Sequence, residues 1–358
     1  MRISKTLQSK GRIAAVVAAF AVVGVAAGCG SDSSSSTTPA KVDTAAPAET
    51  TAAVADVKGK KVVLVSCFDQ NPWCKIYNHT IIDGLKAAGV DVTYLEDGFD
   101  PNVQVQNLKQ AIAAKPDAVL VVASDDNSIV PAVTQAKAAG VPIFNLNGRA
   151  ADGSIPNLTS SILANQKQLG QYAAENLIEG IKAEGKTGGN LIAITGTAGT
   201  NTAKDRMEAF NEVLAKNPTF KLVATEDGSW DQVKSAKIAQ QLFAKYANQG
   251  GIQGAYGMAD YMAAGIIQSA KQANLPLGVK NKGLIVTGSN CFKVGIDAIK
   301  AGEQYGTATQ APSVEGEFVF PLIIDFLAGK KIEALNQKEE GRVTADTLGE
   351  FGEVCSLA

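Results

Sequence analysis

KKVVLVSCFDQNPWCKIYNHTIIDGLKAAGV, residues 60–90, is the stretch that decides the fold of this chain. Val62-Val63-Leu64-Val65 is apolar without interruption, as a parallel strand buried on both faces requires. After a polar loop, Tyr77, Ile81, Gly84, Leu85 and Ala88 share one face at helical spacing, and Gly89 is placed to end that helix. A buried strand followed by an amphipathic helix is one β-α unit, and the unit recurs along the chain. Apolar runs at 118–122, 141–144, 191–194, 222–224, 254–256 and 284–286 predict further strands. Ile129, Val133 and Ala136 before Gly140, and the periodic stretches 169–181, 204–214, 232–246 and 261–273, predict helices between them. The reading is an α/β protein of doubly wound parallel sheets. From Lys58 onward the body has roughly 300 residues, more than one hydrophobic core sustains, so two domains are expected.

Ahead of this body stand a basic start (Arg2, Lys5, Lys10, Arg12), an apolar run over 13–27 and the small residues Ala26-Ala27-Gly28. That order predicts a secretory signal at 1–28. The run is shorter than the roughly 20 residues a membrane-spanning helix needs. Cys29 directly after the small residues resembles the bacterial lipoprotein pattern, and a diacylglycerol there gives the two-chain attachment that stable anchoring requires. Residues 29–57 are mostly Ser, Thr, Ala, Pro and Asp. They hold too little apolar surface to offset the entropy of ordering and read as a flexible tether.

The net charge of −2 offers no basic footprint for nucleic acid, so no nucleic-acid partner is expected. Four cysteines remain in the body: Cys67, Cys74, Cys291 and Cys355. In an exported chain they permit two bridges with three pairings. Cys67 and Cys74 share one strand-to-helix loop, which favours Cys67–Cys74 and, by remainder, Cys291–Cys355; free buried thiols are the alternative. Zinc spacing is absent, the sole histidine is His79, and no metal or cofactor is expected.

In doubly wound sheets ligands sit outside the carboxyl ends of the strands. The residues there include 69–73, 124–126, 147–149, 196–200, 259–260 and 289–290. They are rich in amides and hydroxyls and hold no nucleophile with an adjacent base, because His79 falls inside a helix. An enzyme is therefore not expected. Gly180 to Thr187 matches P-loop spacing, but it closes a helix ahead of a strand, the reverse of what a phosphate cradle needs.

These loops resemble the ribose-binding-protein-like branch of the type I periplasmic binding proteins, the solute receptors of ABC importers. The shared features, in order, are Asn71-Pro72 before an aromatic, Ala-Ala-Gly-Val-Pro-Ile before Asn147, Gly-Thr-Ala-Gly-Thr leading to Arg206, Trp230-Asp231, Ala259-Asp260 and Ala308-Thr309-Gln310. The resemblance implies two lobes joined by a three-strand hinge, with crossings near 161–165, 310–312 and 339–344. The amino-terminal lobe is then 58–162 with 312–338, and the other 163–311 with 339–358. Carried over motif by motif, the ligand contacts fall on Asn71, Trp73, Asn147, Arg206, Trp230, Asp260, Asn290 and Gln310, with Arg149 one place beyond the usual Arg.

Such a set suits a polyhydroxylated ligand, whose hydroxyls need amide, guanidinium and carboxylate partners. Departures matter too. Asn147-Gly148 stands where Asp-Arg is common, Asn290 where Asp is common, and Cys74 where a second aromatic is common. These changes point away from ribose, galactose or glucose and toward a sugar alcohol, a short polyol or an unusual pentose. The implied role is an extracytoplasmic, lipid-anchored, monomeric receptor on the outer face of the cytoplasmic membrane, serving an ABC permease. A lipoprotein that senses autoinducer-2 or a sugar through a receptor is the alternative, and an exported hydrolase a weaker one.

Overall fold

The computed structural model describes residues 57–356. The expected signal segment, Cys29 and all of the expected tether except Val57 lie outside the described residues. Val57 is buried within a core cluster, so the folded body includes a residue ahead of the boundary read from the sequence.

The first lobe opens with β1 (Lys61–Ser66), α1 (Pro72–Ala87), β2 (Asp91–Glu96), α2 (Pro101–Ala113), β3 (Ala118–Val121), α3 (Val130–Ala138), β4 (Ile143–Asn147) and β5 (Ser160–Ala164). The second lobe follows with α4 (Gln166–Ala183), β6 (Gly189–Thr195), α5 (Asn201–Ala215), β7 (Phe220–Asp227), α6 (Gln232–Tyr246), β8 (Gly254–Gly257), α7 (Asp260–Gln272), β9 (Ile285–Thr287), α8 (Lys293–Ala301) and β10 (Gly306–Ala308). Then come α9 (Pro312–Leu327), β11 (Leu335–Lys338), β12 (Arg342–Thr344) and α10 (Leu348–Ser356).

One sheet runs β11-β5-β4-β3-β1-β2 and the other β12-β10-β9-β8-β6-β7. Within each, the first strand of the unit lies between its second and third, so the order reverses between β1 and β3 and again between β6 and β8. Those reversal points open the crevices where ligands settle. All pairings are parallel except β10 with β12. The chain passes between the sheets after β5, after β10 and between β11 and β12.

Central strands follow their apolar runs. In β1 every residue after Lys61 is buried, and Leu64 is wholly so. Burying such a side chain contributes about 1.5–3 kcal/mol. The edge strand β2 alternates half-buried and exposed residues, which is why a search for continuous apolar runs passes over it. Helix α1 starts at Pro72, earlier than its apolar face announces, because Pro suits the first helical turn and Asn71 caps it. Helix α9 returns to pack on the first lobe: the Phe320 ring lies where a Cβ on Gly84 of α1 would stand, and Phe326 meets Phe144 edge-on. At the P-loop-like spacing, α4 ends at Ala183 and β6 begins at Gly189, a helix-to-strand order.

Candidate functional site

A cavity lies between the carboxyl ends of the two sheets. From the first lobe it is lined by Asn71, Trp73 and the Cys67–Cys74 disulfide after β1, by Phe99, by Val122 and Ala123 after β3, and by Asn147 at the end of β4. Facing them are Thr200, Thr202, Arg206, Trp230, Tyr261 and Asn290, with Gln310 in the crossing between β10 and α9. Seven residues expected from the sequence are thus brought together: Asn71, Trp73, Asn147, Arg206, Trp230, Asn290 and Gln310.

Asn71 does two things. Its Oδ1 accepts from the backbone N–H groups of Trp73 (3.0 Å) and Cys74 (3.1 Å), capping α1. Its Nδ2 donates across the cleft to Tyr261 Oη (3.2 Å) and the Trp230 carbonyl (3.4 Å). Trp73 stacks on Tyr77 with ring centroids 4.3 Å apart, and its Nε1 is buried with no hydrogen-bond partner.

Arg206 organises the opposite wall. It is fully buried, and desolvation pulls its pKa below the ordinary value. Its Nε donates to Gln166 Oε1 (2.8 Å), Nη1 to the Met258 carbonyl (2.7 Å) and Asn290 Oδ1 (3.4 Å), and Nη2 to Gln310 Oε1 (2.8 Å). The Trp230 indole lies 5.5 Å from the guanidinium carbon, in cation–π range. The indole can sit there because position 196 is glycine; a Cβ at Gly196 would fall 1.9 Å from the Trp230 ring.

Four lining residues hold left-handed backbone: Asn147 (φ 68), Trp230 (φ 54), Asn290 (φ 81) and Gln310 (φ 99). Non-glycine residues in that region cost of order 1–3 kcal/mol each and cluster where function aims a side chain. No sequence pattern announced this strain.

Two expected contacts are corrected. Asp260 is wholly buried behind the wall, where it accepts from Phe292 N (2.8 Å), Gln304 Nε2 (2.7 Å) and Thr307 Oγ1 (3.0 Å). Burial raises its pKa to about 7, and its bonds tie the loop after Asn290 to the start of α7. Arg149 lies off the cavity, its guanidinium gripping Asp205 of α5 at 3.0 and 3.2 Å. That bidentate pair joins the two lobes, as does Asp126 Oδ2 accepting from Asn201 N at 2.6 Å. The lobes therefore meet around the cavity. Tyr261 and Gln166 were missed from sequence, the first being an aromatic within a helical period and the second a hinge amide with no motif. His79 sits on α1, half-exposed and paired with Asp69 at 2.7 Å. Cys291 and Cys355 are joined, which ties α10 to the residue beside Asn290.

Residues 62–331 match the family described as periplasmic binding protein domain, and with this fold the chain belongs to the type I periplasmic binding proteins. It is similar to the ribose import binding protein of Haemophilus influenzae, 25% identical over 260 residues covering 71% of this chain and 82% of that protein. The xylitol-binding protein of Mycolicibacterium smegmatis is 24% identical over 272 residues, 76% of this chain and 73% of that protein. Among solved structures, a carbohydrate transporter solute-binding protein from Agrobacterium radiobacter in complex with D-arabinose superposes with a TM-score of 0.74 at 23% identity, covering 84% of this chain and 99% of that one.

Proposed function

We propose that this protein is the extracytoplasmic solute-binding component of an ABC importer, that it takes a sugar-derived or polyol ligand into the inter-lobe cavity, and that it closes on it by hinge motion. The observation that carries this reading is the cavity itself. Two flat aromatics from opposite lobes, Trp73 and Trp230, flank a cluster of amides and one guanidinium at the carboxyl ends of both sheets. Amides and guanidinium donors orient oxygens, and indole faces cover C–H surfaces. The names of the relatives, a ribose importer component and a xylitol-binding protein, support the same class of ligand.

In this reading Asn71, Trp73, Asn147, Arg206, Trp230, Asn290 and Gln310 touch the ligand, while Asp260 and Arg149 position the walls. We place the lobes at 58–162 with 312–338 and at 163–311 with 339–358, in keeping with β11 pairing in the first sheet and β12 in the second. A lipid on Cys29 would hold the receptor near its permease.

Differential scanning fluorimetry against a panel of sugars, sugar alcohols and sugar acids tests the proposal. A ligand at 100 times its dissociation constant stabilises by about 2.7 kcal/mol, a readily measured rise in melting temperature. No rise with any member of the panel would overturn the assignment of ligand class.

A further inference from the structure

The hydrogen bonds around Arg206 fix which atoms the cavity presents. A guanidinium has only donors, so Gln166 and Gln310 must turn their carbonyl oxygens toward it. Their amide nitrogens then both donate to Asn147 Oδ1, at 3.0 Å from Gln166 and 2.6 Å from Gln310. Both lone pairs of that oxygen are filled, which leaves the Nδ2 hydrogens of Asn147 free to donate. Gln310 Oε1 is likewise filled, by Arg206 and Asn290. Asn71 Oδ1 is filled by two backbone N–H groups.

Side-chain acceptors are thus nearly used up, leaving one position on Asn290 Oδ1 and the hydroxyl oxygens. Spare donors remain on Asn147 Nδ2, on the second hydrogens of Asn290 and Gln310, and on Trp73 Nε1, whose side chain is more than nine-tenths buried. Among the described residues no carboxylate lines the cavity, and none accepts from Arg206. The nearby Glu340 is held by Thr309 and Lys338. A buried cation lacking a counter-ion is costly, and a buried hydroxyl needs an acceptor for its own hydrogen, whereas a carboxylate brings lone pairs and a negative charge.

Resting on the reading of this cavity as an importer's ligand site, we infer that the ligand is an acid rather than a neutral sugar: a small polyhydroxy carboxylate of the sugar-acid class, its carboxylate received by the free donors of Asn147, Gln310 and Trp73 beside the positive charge of Arg206. The test is titration calorimetry of the full mature chain with matched sets: D-xylonate, D-xylose and xylitol; D-ribonate, D-ribose and ribitol; D-gluconate, D-glucose and sorbitol. In at least one set the acid should bind about tenfold or more tighter than both neutral partners. If, in every set that binds, a neutral member binds as tightly as its acid or tighter, the inference is overturned and the sugar-receptor reading stands. If no member binds, both fall. Asn147→Asp sharpens the test, because it keeps the filled oxygen and replaces the donor group with a charged acceptor. It should weaken the acid by about tenfold or more and strengthen a neutral polyol. Unchanged acid affinity in a variant with a normal melting profile contradicts the inference. Should that variant not fold, Trp73→Phe serves instead: it removes the orphan donor and should weaken the acid more than its neutral partners, an equal effect on both being the contrary result.

Discussion

The two lobes share one strand order yet build opposite walls. After β1, β2 and β3 the first lobe offers Trp73, Phe99, Val122, Ala123 and a disulfide, an apolar surface with Asn71 and Asn147 as its polar points. Across the cleft the second lobe and the hinge offer Arg206, Asn290 and Gln310 in one hydrogen-bonded set, with the Trp230 indole laid against it. Topology fixes where the crevice opens, while the side chains of the post-strand loops decide its chemistry. In this protein the first wall sets shape and the second sets charge and orientation.

If that division holds, the deepest cut comes from the second wall. Arg206→Ala removes a charged donor to three amide side chains and should cost about one to two decades of ligand affinity, since hydrogen bonds to charged groups contribute roughly 1.5–3 kcal/mol. Calorimetry measures it, with the unliganded melting temperature falling as well because Arg206 is buried; unchanged affinity would remove the charge from the account. Trp230→Ala should cost roughly tenfold through lost ring contact. Gly196→Ala should reproduce that loss without touching the ligand, because its Cβ would occupy the indole's place. Divergence between these two variants would mean that Trp230's position is not what matters. On the first wall, Trp73→Phe keeps the stack on Tyr77 and loses only Nε1–H. About two- to tenfold weaker binding is expected, the range for one neutral hydrogen bond.

The smallest effect concerns the contact between the walls. Burial raises the pKa of Asp126 from 3.8 to about 6 where it meets Asn201, with Asp125, Lys204 and Arg149 as charged neighbours. When the lobes part, the carboxyl is solvated and returns toward its ordinary value. Protonation therefore favours the closed form, and that preference is lost as pH rises from about 4 through about 6. Small-angle scattering of the unliganded protein should show the radius of gyration growing over that window, and less so in Asp126→Asn. The same growth in both would assign it to other groups.

Much of this was legible in the sequence because buried parallel strands are written as continuous apolar runs. The edge strand β2, β5 with its two opening serines, and the short β10, β11 and β12 escaped, since half-exposed, serine-led or three- to four-residue strands carry little continuous hydrophobic signal. The loops after the strands line much of the cavity, and seven of its lining residues were readable from short motifs. Asp260 and Arg149 were misplaced because a motif gives proximity, not direction: one side chain turns back to hold the 290–292 loop, the other turns across to Asp205. The filling of amide oxygens around Arg206 was invisible, being a property of three-dimensional hydrogen bonding among residues as distant as Asn147 and Gln310.

The chain has two tryptophans, and they stand in opposite walls of one cavity. Fluorescence titration of Trp73→Phe and Trp230→Phe, each with a single reporter left, therefore reads each wall separately. With the ligand that most raises the melting temperature, the account predicts a saturable emission change in both variants, each at the dissociation constant calorimetry gives for that same variant. Thermal stabilisation by that ligand with no change in either tryptophan would place binding outside the cleft and contradict the account.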